Sequence, residues 1–163
     1  MSSKSIDDLR SKGKHYEAKD LADTLLQENP NDADLNFKAA RVNDYLGYTN
    51  HAISFYEIAL KNSLNPEKVK DALLSLGSSY RALGDAQKSE KLLIDASIQF
   101  PHANDIKVFL AMAMYCSGKH QQAFELLLEL LVATSADPSI LQYKKSIKFY
   151  AQDIGRVWSE KSI

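Results

Sequence analysis

Cysteine occurs once in these 163 residues, tryptophan once, proline four times and glycine six times. The lone thiol, Cys116, excludes an intrachain disulfide and leaves no thiolate cluster for a metal. So few turn formers exclude a β-sandwich of this length, which needs a turn signal about every 8–12 residues. An excess of one charge is also missing: 20 Lys and Arg stand against 21 Asp and Glu, a net charge of −1. The chain therefore cannot hold nucleic acid or anionic lipid through its overall field. Long apolar runs are absent as well. The most apolar stretch, Phe124 to Ala133, is about ten residues long and carries Glu125 and Glu129, whereas a bilayer span needs roughly 20. The first eight residues, Met1 to Asp8, hold neither the apolar core nor the small-residue cleavage site of a secretory leader, so cytoplasm is the expected compartment. What is present, 45% apolar and 25% charged residues, suits a helix-rich soluble chain that needs no covalent staples.

Self-similarity organises the chain. Four blocks align: Gly13 to Ala18, Gly47 to Ala52, Gly84 to Ser89 and Gly118 to Ala123. Each places a small residue five positions after its glycine, and the glycines are 34, 37 and 34 residues apart. An apolar ladder at helical spacing follows each block: Leu21, Leu25 and Leu26; Phe55, Tyr56, Ala59 and Leu60; Leu92, Leu93 and Ala96; Phe124, Leu127, Leu128 and Leu131. These ladders are expected to be core. Pro30 and Pro101 end two of them, and the corresponding stop slips to Leu64-Asn65-Pro66 in the second unit. A second helical pattern precedes each glycine, with helix-entry signals at Asn31 or Asp32, at Asn65, at Asn104 or Asp105, and at Asp137. Each unit thus reads as helix, glycine turn, helix. Gly77 with Ser89, and Ala40 with Ala52, fall where the two helices of a unit would cross, and a bulky side chain there would cost about 1–3 kcal/mol.

On these residues the chain resembles the tetratricopeptide repeat proteins. The third unit carries the likeness best, through Leu76-Gly77, Tyr80, Leu83-Gly84, Ala96 and Pro101, with Ser89 where Ala is usual. The second has Ala39-Ala40 where Leu-Gly is usual. The first has a short opening helix, about Ser5 to Lys12, and the fourth lacks the closing Pro. The fourth unit and tail, Ala111 to Tyr150, resemble a bacterial subgroup of these proteins. The resemblance implies an all-α, right-handed superhelix of antiparallel helix pairs in a single domain. Its repeats would span about 3–32, 33–69, 70–103 and 104–136. A capping helix and tail would occupy 137–163, with Ile140, Leu141, Tyr143, Ile147, Phe149 and Tyr150 at helical spacing.

Chemistry is harder to find. His15, His51 and His120 recur about one and two repeats apart, too far to converge on one ion at about 2 Å, and no phosphate loop, nucleophile elbow or carboxylate pair is present. No enzyme activity, cofactor or metal is expected. The resemblance instead implies a groove lined by the first helix of each unit. Positions there not needed for the core are Phe37, Arg41, Asp44 and Tyr45; Asp71, Leu74, Ser78 and Arg81; and Asp105, Val108, Met112, Tyr115 and Cys116. Aromatics, Met and Arg together make a recognition surface for a peptide or protein partner. Some family members clamp a chaperone's C-terminal carboxylate with Lys, Asn and Arg. The matching positions here are Asp7, Phe37, Arg41, Leu74 and Ser78, so that activity is not expected. Ile154, Val157 and Trp158 suggest a competing reading, self-association into a homodimer through the tail.

Overall fold

The computed structural model describes residues 4–157. Its regular structure is ten helices among the described residues. Four pairs come first: α1 (Lys4–Ser11) with α2 (His15–Glu28), α3 (Ala33–Tyr45) with α4 (Thr49–Lys61), α5 (Pro66–Ala82) with α6 (Ala86–Gln99), and α7 (Asn104–Cys116) with α8 (His120–Thr134). Two short helices follow, α9 (Pro138–Leu141) and α10 (Lys144–Ala151).

The four turn glycines have φ of 73°, 80°, 87° and 82°, the left-handed region where any Cβ is strained. In each turn the residue after glycine donates its N–H to a carbonyl five residues back, as in Lys119 N to Met114 O at 2.9 Å. This bond pattern closes the first helix and reverses the chain in two residues. Helix starts follow the sequence signals in part. Asp32 accepts the Leu35 N–H at 2.8 Å, and Asn65 accepts the Glu67 N–H at 2.9 Å with Pro66 as first helical residue. Neither Asn104 nor Asp105 caps α7, which is preceded by Ala103 without a side-chain cap. Asp105 instead receives the ammonium of Lys70 at 2.7 Å.

The core is three clusters, each spanning a boundary between units. Ile6, Ala22, Leu35 and Val42 join the first unit to the second; Phe37, Tyr56, Ala72 and Leu76 join the second to the third; Leu93, Ala96, Ile106 and Leu110 join the third to the fourth. Stability in such a stack is a sum of nearest-neighbour contacts. Gly77 has the expected role: a Cβ built there would lie 2.7 Å from Leu93 Cγ, while Ser89 Oγ donates to the Gly77 carbonyl at 2.6 Å.

Ion pairs bridge the first helices. Lys38 Nζ lies 2.8 Å from Asp7 and 3.2 Å from Asp34, Lys68 also bonds Asp34, and Lys70 reaches Asp105. Burial raises the Asp34 carboxyl, but the bonds from Lys68 and Lys38 outweigh it and hold the group below the usual 3.8. The Lys70 bond lowers Asp105 likewise. A carboxyl depressed in the folded chain stabilises above its unfolded value, and the gain is lost as pH falls through the folded one. Stability should therefore be level above about pH 5 and decline below 3.8, with the decline shallower in Asp34→Asn. Urea midpoints from about pH 2.5 to 7 measure this; an unchanged slope in the variant would contradict it.

The C-terminal cap differs from expectation. One helix from 137 onward is replaced by α9 and α10, with a bend at Gln142 and Tyr143 where the Tyr143 N–H bonds back only three residues, to Ile140. A cap broken this way covers α8 incompletely. Phe124, Leu127 and Leu131, expected in the core, are 46%, 39% and 42% exposed. No helix among the described residues is long and apolar enough to cross a membrane.

Candidate binding cleft

Nine of the residues singled out from the sequence occupy three register positions on α3, α5 and α7, at ten, six and three residues before the turn glycine; Tyr45 and Cys116 stand two before it, Asp71 and Asp105 thirteen. At the first, Phe37 is buried, Leu74 half-buried and Val108 exposed. At the second stand Arg41, Ser78 and the exposed Met112; at the third, Asp44, Arg81 and the exposed Tyr115. Apolar exposure at this register therefore grows from the second unit to the fourth.

The N-terminal part is occupied by its own side chains. Phe37 is not a free anchor. Its ring meets Tyr56 edge-on at 6.2 Å in the core, and the Arg41 guanidinium and Lys68 ammonium lie over it at 5.7 and 5.8 Å. An aromatic at this position turns inward because the neighbouring core positions hold only the small Ala39 and Ala40, leaving room beneath it. Tyr45 is exposed but stacks on the His15 ring at 3.8 Å. Asp44 accepts the Ser79 hydroxyl at 3.3 Å, and partial burial raises its carboxyl above the usual range despite that bond. Leu74 packs against the third core cluster.

The C-terminal part is open. Arg81, Met112 and Tyr115, from two different helices, line one cleft of about 690 Å³ together with Phe124, Leu127 and Ile154. Its remaining wall includes Cys116, which is exposed, and His120, whose ring lies 4.5 Å from that of Tyr115. Gln121 fixes the far rim by donating to the Gln152 carbonyl at 2.8 Å, which ties the start of α8 to the end of α10. A largely apolar hollow with few convergent polar groups is the usual form of a binding site. Arg81 is the charged group here, beside the polar His120 and Gln121. Its Nε is buried without a hydrogen-bond partner, and the side chain joins no ion pair among the described residues.

Sequence reading found Arg81, Met112 and Tyr115 but missed the α8 side of the cleft, since Phe124 and Leu127 scan as ordinary core positions. No sequence signal marks the bend that exposes them, since Tyr143 keeps helical spacing with Ile140 and Ile147 and Gln142-Tyr143 holds neither glycine nor proline. Of the tail residues, Ile154 lines the cleft and Val157 is 93% exposed, whereas Trp158 lies outside the described residues. Among the described residues no three His, Cys, Asp or Glu side chains are grouped to hold a metal.

A family model described as the tetratrico peptide repeat matches residues 33–154. No curated protein matches the chain. Solved structures similar in fold include MamA and TTC0263. MamA shares 22% identity and a TM-score of 0.71 over 90% of this chain and 87% of its own. TTC0263, a thermophilic TPR protein of Thermus thermophilus, shares 20% identity and a TM-score of 0.61 over 94% of this chain and 81% of its own. Likeness at that identity carries the fold, a superhelix of antiparallel helix pairs.

Proposed function

This chain belongs to the tetratricopeptide repeat family, an interaction scaffold in general, and on that premise we propose that it is a non-catalytic module that holds a segment of a partner protein. The partner lies along the first helices and is anchored in the C-terminal cleft. One observation carries this reading: exposed apolar side chains accumulate at the fourth unit, where Met112, Tyr115, Phe124 and Leu127 converge around one cleft. A folded chain leaves so much contiguous apolar surface open chiefly where something else covers it. Arg41 is held over Phe37 and contributes at the margin.

Affinity capture from lysate, followed by binding measurements on each captured protein, tests the reading. Leu127→Asp places a charge in the cleft at an already exposed position, so stability should change little while affinity falls on the order of 100-fold, as at a central hot spot. Arg41→Ala should change affinity only a few-fold. Partners held equally well by Leu127→Asp and by Phe124→Asp would refute the proposed site.

Self-association is the second reading, favoured by Ile154 in the cleft wall and by the exposed Val157 beside it. A chain that is dimeric in light scattering and becomes monomeric in Leu127→Asp would assign the cleft to a second copy.

A further inference from the structure

The cleft has a chemical signature beyond being apolar. It has no acidic lining residue, and Arg81 is its one permanent cation among the described residues. That guanidinium sits half-buried at the edge of an apolar surface, with one N–H inside and unmatched. Elsewhere Lys38 meets Asp7 and Asp34, Lys119 meets the buried Glu90 at 2.5 Å, and Arg41 lies over the Phe37 ring. The helix that packs on α8, α10, carries Lys144, Lys145 and Lys148, all exposed and in no ion pair among the described residues. An isolated buried donor costs free energy until an acceptor arrives, and a carboxylate matches a guanidinium with two parallel bonds.

Building on the function proposed above, we propose that the occupant is an acidic amphipathic segment of another protein. Its aliphatic or aromatic side chains fill the space between Met112, Phe124 and Leu127, and an Asp or Glu within one helical turn of them meets Arg81. A helix suits the site, because anchors at i, i+3 and i+4 present an apolar stripe with a carboxylate at its edge. A basic or neutral apolar segment would leave Arg81 desolvated without an acceptor, which gives the site its selectivity.

The test is a random peptide display library selected on the full chain. Enriched sequences should combine apolar residues at helical spacing with a neighbouring Asp or Glu. Synthetic copies should lose on the order of tenfold in affinity when that carboxylate becomes an amide, with the same loss on Arg81→Gln and no further loss when both changes are combined. Affinity for Leu127→Asp should fall on the order of 100-fold, and circular dichroism of both variants should match the parent. Enrichment of peptides without an acid, or peptides indifferent to Arg81→Gln, would overturn the acidic partner while leaving a cleft-binding module intact. Peptides that survive Leu127→Asp but are lost on Arg41→Ala would move the binding site away from the cleft and overturn both. Failure of any peptide to enrich, followed by enrichment once residues 158–163 are removed, would make the chain's own end the occupant; failure in both forms would also refute the proposal. A dimer dissolved by Leu127→Asp would assign the cleft to a second copy instead.

Discussion

Gly77→Val should destabilise the chain by about 3 kcal/mol, the upper part of the overpacking range. The cause is local: the added Cβ would lie 2.7 Å from Leu93 Cγ and 2.8 Å from Leu93 Cδ2, atoms near the root of a fully buried side chain that has nowhere to turn. The shift would also disturb the Ser89 bond to the Gly77 carbonyl on the same crossing. Gly77→Ala should cost less, since an alanine in mid-helix recovers about 1 kcal/mol of propensity against the same clash. Combining Gly77→Ala with Leu93→Ala provides a check. If the two residues compete for one space, the pair should be less destabilising than the sum of the singles, by on the order of 1 kcal/mol or more. Strict additivity in urea unfolding would show that the crossing tolerates a Cβ by shifting whole helices.

The second large effect is expected at Tyr56, which is 1% exposed between the second and third units. Tyr56→Ala removes the ring that supports Phe37 and should cost about 3–5 kcal/mol. In a stack whose units touch only their neighbours, a loss there uncouples the two sides. Unfolding should therefore change from one transition to two, the N-terminal pairs melting first. A single transition merely moved to lower urea would contradict that. Tyr56→Phe should cost only about 1 kcal/mol, for the lost hydrogen bond with Ser75. Burial pushes the Tyr56 hydroxyl up to about 12. For a group raised in the folded state, the contribution is whole below the unfolded value of 10.0 and is lost as pH rises from there toward 12. The phenylalanine variant should accordingly show a shallower loss of stability in alkali.

Much of the fold was legible because repetition forces agreement between distant parts of the chain. A glycine that needs positive φ recurs at the same offset, and Gly77 announces a close crossing through a partner twelve residues on. The candidate site was legible only where exposure followed register. Met112 and Tyr115 obeyed it; Phe37, at a position corresponding to the exposed Val108, did not, because its neighbours on α3 are small enough to let the ring drop inward. Phe124 and Leu127 were misjudged for the opposite reason. Their spacing is that of core, and what exposes them is a bend in a different segment that carries neither glycine nor proline. Spacing within a helix tells which side chains share a face, but whether that face is covered depends on the next element in the stack.

The split cap has a thermodynamic meaning of its own. The terminal pair α7–α8 has a full neighbour on one side and a fragmentary one on the other, so part of the apolar face of α8 stays open to solvent. A ligand seated against Phe124 and Leu127 would act as the missing fifth unit, and its binding energy would appear first as slowed amide exchange in α8. Recognition and completion of the last repeat would then be one equilibrium, with affinity set partly by how often the end of the stack is already closed.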